Sequence, residues 1–385
     1  MHSDKDTIRV GFLVSTLVTG GAERQLQHLI LGLGPAFAPH LYCLREPGAI
    51  GEQLREHGIP MRCGLGPGRP PAPWNLVRLA RHLRTDGIHI LYCLDHTNAV
   101  VVGTLAAGLA GGLPVLVAVH TTGQWGRPSI PRPMRLVLRG ITRFLAIAET
   151  QRRYLVETEG IPAAKITVIR NGIPPLDPDR LPDKSAARAA LGIEAGEGPV
   201  VGILAMLRPE KAHENFLAAA RLLLQRFPRA VFLIIGEGAR RAALEELAAS
   251  LGLARQTRFL GLRKDVPQIL PALDLSVLSS HPRVETLPLS QMEAMSLGIP
   301  VVATRVGALH ELIDEGVEGH LVAPQDPTAL AEAMIDLLAD PERKALAGRA
   351  ARARILREFN VERVARETET VIRAVLGSAD PCQTA

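Results

Sequence analysis

Short runs of β-branched and leucine residues alternate with amphipathic or alanine-rich stretches along the whole chain, and that alternation predicts an α/β protein. In the first half, residues 8–14, 40–44, 88–92, 115–119, 143–147 and 166–169 read as strands, with helices such as 22–33 and 74–84 between them. The second half repeats the theme with strands at 200–204, 231–235, 257–260, 275–278 and 300–303 and helices at 214–226, 240–251 and 289–297. Most of these apolar runs lack polar alternation, so both faces are buried, as in a parallel sheet. One stretch, 99–119, carries no charge and approaches the length of a bilayer helix. Its glycines and Pro114 divide it into a helix of small residues and a buried strand, so we read it as globular.

The segment 171–182 holds Pro174, Pro175, Pro178, Pro182 and Gly172, which disfavours regular structure and marks a boundary between domains at 1–172 and 183–359. A length of 385 residues suits two domains. The closing stretch 360–376 places Val361, Val364, Ala365, Thr368, Val371, Ile372 and Val375 on one face of an amphipathic helix.

Charge divides unevenly. Residues 1–170 carry 19 Lys+Arg against 11 Asp+Glu, whereas the remainder carries 25 against 28. A basic first domain suggests an anionic partner or an acidic membrane surface. With 3% aromatic residues, the chain offers few stacking platforms, so nucleic acid is not expected as a partner. Cys43, Cys63, Cys93 and Cys382 show no short paired spacing, and the polar N-terminus lacks a signal-peptide layout. Both features point to a reducing cytoplasm.

The strongest local pattern runs from His281 to Ala303. A strand ends near Ser280, a loop holds Glu285, Pro288 opens a helix containing Glu293, and Gly298 stops it before the next strand. In a parallel sheet such a turn lies at the carboxyl edge, where ligands bind. Amides at the helix start attract phosphate, and two carboxylates eight residues apart can grip hydroxyls on either side of it.

With Arg208-Pro-Glu-Lys211, Gly236-Glu-Gly238 and Gly20-Gly-Ala-Glu-Arg24, that Glu-x7-Glu pattern resembles the family 4 retaining glycosyltransferases over nearly the whole chain. The resemblance implies a GT-B fold: two Rossmann-like parallel-sheet domains facing a central cleft, the first for the acceptor and the second for a nucleotide sugar. The last helix would cross back to the first domain. It implies roles for Lys211 as a cation at the β-phosphate, Glu285 on sugar hydroxyls and Glu293 on the ribose. Leu287, Pro288 and Leu289 would offer amides to the diphosphate, with Gly236, Gly261, Leu262 and Arg263 around the nucleotide. In the first domain, Gly20 and Gly21 would let backbone approach a ligand, and His120 would lie near the sugar. Two positions depart from the family: Met206 replaces an arginine five residues before Lys211, for which Arg208 would substitute, and Thr286 replaces a glycine. Asn171, Gly172 and Glu149 are weaker candidates.

Asp177-Pro-Asp179 imitates a metal-binding Asp-x-Asp but lies in the proline-rich segment, and Gly236 to Arg241 lacks the third glycine of a dinucleotide fingerprint. The expectation is therefore a hexosyltransferase without metal or cofactor, taking a UDP-hexose or UDP-N-acetylhexosamine. Its acceptor hydroxyl is unidentified and, with peripheral contact at the inner membrane face, would be lipid-linked. A nucleotide-sugar epimerase and a non-catalytic nucleotide-sugar-binding subunit stay open as alternatives.

Overall fold

The computed structural model describes residues 7–18, 20–66, 73–121, 132–282 and 285–377. The chain forms two compact units, one holding the residues up to Asn171 together with those from Val361 on, the other Gly172–Asn360.

The first unit contains β1 (Ile8–Val14), β2 (Phe37–Cys43), β3 (Met61–Arg62), β4 (Ile90–Leu94), β5 (Val115–Val119), β6 (Arg143–Ala146) and β7 (Ile166–Val168), in the order β3-β2-β1-β4-β5-β6-β7. All pairs are parallel. Alternate side chains of these strands feed two cores. Leu13, Leu91, Cys93, Val117 and Phe144 pack with the helices Pro73–Thr85, Thr97–Leu109 and Arg132–Arg139 on one face. Phe12, Leu41, Tyr92, Leu116 and Leu145 pack with Gly21–Gly32 and Val361–Gly377 on the other. Burial on both sides explains the uninterrupted apolar runs. Residues 99–119 form the helix Thr97–Leu109 and then β5, as their glycines and proline predict.

The second unit contains β8 (Val200–Leu204), β9 (Val231–Ile235), β10 (Thr257–Gly261), β11 (Leu275–Leu278), β12 (Val301–Thr304) and β13 (Gly319–Val322), again all parallel, in the order β10-β9-β8-β11-β12-β13. Strand order therefore reverses between β8 and β11, and in the first unit between β1 and β4. Such reversals open a crevice at the carboxyl edge, because successive connections leave to opposite faces of the sheet. The segment 171–182 is irregular except for a 3-10 turn at Pro178–Arg180, where the Asp177 side chain accepts from the Asp179 amide. That turn accounts for the Asp-x-Asp spelling. Among the described residues, no group of three or more His, Cys, Asp or Glu side chains is placed to hold a metal ion, and no helix is long and apolar enough to cross a membrane.

Candidate active site

In the second unit the reversal point brings together two segments 74 residues apart. After β8 the chain makes a 3-10 turn, Pro209–Lys211, then passes through buried Ala212 in the left-handed region (φ 47°) into the helix His213–Arg226. After β11 comes the loop carrying Glu285. The Lys211 ammonium donates to Glu285 Oε1, and Ser280 Oγ donates to the same oxygen at 2.7 Å. Neither touches Oε2. Glu285 is 8% exposed, so its charge is held by partners rather than by water.

The supports are as local as the contacts. Ser279 Oγ donates to the carbonyls of Lys211 (3.1 Å) and Ala212 (3.0 Å), fixing the strained turn against the end of β11. Thr304 Oγ1, closing β12, donates to the Ser280 carbonyl at 2.8 Å. The His281 amide donates to the Glu210 carbonyl at 2.8 Å. Gly307 has φ +54°, and a Cβ there would overlap the Glu285 carbonyl, so only glycine lets this segment lie so close. Ser279, Ser280, Thr304 and Gly307 were not singled out from sequence. Ser279, Thr304 and Gly307 act across strands and are brought to their targets by the β8–β11–β12 register, whereas Ser280 reaches Glu285 within the loop after β11.

The other candidates distribute along the same edge. Pro288 caps the helix Leu289–Ser296; Leu287 is buried before it, and Glu293 lies 9% exposed on its fifth residue. The first-turn amides of that helix have no carbonyl partners within it. Gly236 follows β9 and donates its amide to the Gly261 carbonyl at 3.0 Å. A Cβ on it would meet the Ala205 carbonyl, which binds this turn to the end of β8. Leu262 is exposed, and Arg263 makes a bidentate pair with Asp265 at 2.8 and 2.6 Å. Arg208 is not brought to Glu285: it is exposed and pairs with Glu210 at 4.0 Å. Met206 is also exposed. His213, one residue beyond Ala212, is buried; burial, with Lys211 and Arg240 adding to it and Glu214 opposing, holds its ring down to about 4.

In the first unit, Gly20 caps the helix Gly21–Gly32 and its neighbour Gly21 faces open space. Glu23 of that helix approaches His96 Nε2 at 3.4 Å across the β1–β4 reversal. Burial opposes ionisation of Glu23, but His96, its own amide and the field of His120 hold its carboxyl below the usual range. The His96 Nδ1 accepts from the Ser15 amide at 3.3 Å. His120 follows β5; its amide and that of Thr121 both donate to Asp95 Oδ2 at 2.8 Å. Burial keeps the His120 ring below the ordinary imidazole value, against Asp95 and Glu23. Asp95 and His96 were missed because a single Asp-His pair after a strand carries no spacing signal.

Each unit thus places a group of charged side chains at the carboxyl edge where strand order reverses, the arrangement of an α/β protein that binds a phosphorylated ligand there. Residues 19–175 match the family model Glycosyltransferase Family 4, and residues 184–354 match Glycosyl transferases group 1. The chain is 25% identical over 307 residues to the N-acetyl-alpha-D-glucosaminyl L-malate synthase of Bacillus anthracis, covering 78% of each chain. It is 30% identical over 306 residues to the glycogen synthase of Mycobacterium tuberculosis, covering 76% of this chain and 70% of that one. The crystal structure of Anabaena HepE in complex with UDP-glucose matches with a TM-score of 0.80 at 23% identity, covering 95% of this chain and 100% of that one. The chain belongs to the family 4 glycosyltransferases and has the GT-B fold.

Proposed function

We propose that the protein moves a hexose or N-acetylhexosamine from a UDP-sugar to an acceptor hydroxyl, with retention at the anomeric carbon and without a metal ion. The observation that carries this reading is the meeting of Lys211 and Glu285 across the β8–β11 reversal, beside the start of the helix Leu289–Ser296. A leaving diphosphate gains negative charge as the bond from the anomeric carbon to its β-phosphate oxygen breaks. A fixed ammonium and helix amides stabilise that charge without reorganising. Glu285 keeps Oε2 for a sugar hydroxyl while Ser280 and Lys211 satisfy Oε1. The acceptor oxygen forms its bond from the face that the diphosphate leaves, and its proton passes to the departing phosphate oxygen. UDP-glucose in HepE and the sugar-transfer names of the relatives support a UDP-sugar donor.

Lys211→Ala is expected to lower kcat by roughly 10² to 10³, as loss of one oxyanion donor does. Near-normal steady-state turnover would contradict the role. Glu285→Ala should weaken UDP-sugar binding in calorimetry and leave UDP binding intact; equal loss of both would reassign Glu285 to the nucleotide. Turnover unchanged by a chelator fits the metal-free reading, and metal-dependent turnover would end it. Incubation with donor alone yields an isomerised nucleotide sugar only if the protein is an epimerase. The absence of both transfer and donor hydrolysis across a donor and acceptor screen would leave a binding subunit.

A further inference from the structure

The helices Pro73–Thr85, Thr97–Leu109 and Arg132–Arg139 cover the same face of the first unit's sheet. Their inner sides bury Leu79, Leu83, Val100, Ala106 and Leu138. Their outer sides do not read as an ordinary solvated surface. Trp74, Val77 and Leu136 are 72%, 62% and 71% exposed, and Leu105 and Leu109 stand exposed between them in chain order. Trp74, Val77, Arg78, Arg81 and Arg84 form one stripe of the first helix, at helical spacing. Arg84 donates to the Leu109 carbonyl, which joins that stripe to the end of the second helix. Arg139 adds an exposed cation on the third. None of the three helices contains an aspartate or glutamate. Asp86, just past the first helix, is held by Arg62 and Tyr42.

A protein that only needed solubility would place both signs of charge on such a layer and keep a tryptophan off it. We propose that this face is the docking surface for an anionic lipid bilayer, with the arginines at the headgroup phosphates and Trp74, Val77 and Leu136 entering the headgroup boundary. Charge complementarity selects the occupant. The arginines supply attraction without a carboxylate to oppose it, and the mixed apolar side chains suit an interface that is half wet and half greasy. The proposal uses no residue assigned to sugar transfer. It therefore stands or falls separately from that reading.

Flotation of the full chain with vesicles of phosphatidylcholine, alone or mixed with phosphatidylglycerol, tests it. Binding is expected only to the mixed vesicles, and to fall as salt shortens the screening length. Each arginine near the surface contributes about fivefold, so Arg78→Gln/Arg81→Gln/Arg139→Gln should bind about 10²-fold more weakly. Arg221→Gln/Arg229→Gln/Arg255→Gln, the same charge change on exposed positions of the second unit, should bind as the parent chain does. In a Trp125→Phe chain, Trp74 is the remaining tryptophan, and its emission should shift to the blue on mixed vesicles. Calorimetry of the surface variant is expected to show the transitions of both units unshifted, which shows that its first unit is folded. No retention on mixed vesicles at low salt, equal retention on phosphatidylcholine, or equal loss in the two triple variants would overturn the proposal. So would preference for a double-stranded oligonucleotide over vesicles of matched charge.

Discussion

Ser279 and Ser280 are neighbours in sequence, yet they serve different halves of the reversal-point site. Ser279 holds the main chain that presents Lys211, and Ser280 holds the carboxylate of Glu285. A hydrogen bond to a charged group is worth about 1.5 to 3 kcal/mol, so Ser280→Ala should reduce kcat/KM for the donor by about 10- to 100-fold. The fold has less at stake, because alanine fits the same buried volume. Unchanged UDP affinity with a raised donor KM would place the loss at the sugar contact; an unaltered kcat/KM would show that Lys211 alone positions Glu285. Lys211 and Glu285 were legible in the sequence because each sits in a short pattern after an apolar run. Their serine and threonine supports were not: Ser279 and Thr304 gain meaning only from the strand register that carries them to a partner, and Ser280 only from the loop path that turns Glu285 back to it.

The elements themselves were legible where burial on both faces made a strand largely apolar. Five strands, β1, β5, β8, β9 and β11, have the predicted bounds. The edge strands β3, with two residues, and β13, Gly-His-Leu-Val, were not foreseen, because an edge strand needs less apolar sequence and gives a weaker signal. The start of the helix His213–Arg226 holds a feature that periodicity registers only as a polar residue. His213 is buried and neutral, with its folded value near 4 against an ordinary 6.5. The unfolded chain takes up that proton more readily, so this stabilisation is full above pH 6.5 and is lost as pH falls toward 4. Its size is about 3 kcal/mol at 1.36 kcal/mol per unit. Asp274 and Asp86, both lowered to about 2, act in a separate and more acidic window. Chemical denaturation from pH 7 to 4 should show this slope in the parent chain and a flatter one in His213→Leu. Identical slopes would mean that the ring finds a partner for its proton in the fold.

At the scale of the whole molecule, the chain leaves the first unit at Asn171 and returns to it at Val361. The returning helix, Val361–Gly377, is bound to that unit by more than its apolar stripe. Val364, Ala365, Ile372 and Val375 enter the core below Gly21–Gly32, Glu369 accepts from the Gly34 amide at 2.7 Å, and Arg373 stacks 4.9 Å from the Phe37 ring. Burying Val364, Ile372 and Val375 alone contributes about 5 to 9 kcal/mol, which is comparable with the whole stability of a domain, about 5 to 15 kcal/mol. A chain ending at Asn360 should therefore lose the first unit and keep the second, whose bridge from Ile173 to Asn360 stays intact. Calorimetry should show one transition removed or moved to low temperature and one retained, with protease cutting confined to residues before 172. Because the residues proposed to hold the donor, Lys211, Glu285 and Glu293, all belong to the second unit, UDP-sugar binding should survive while transfer is abolished. If both transitions persist unshifted, the helix is an accessory to the first unit rather than part of its core; if both disappear, the two units do not fold independently.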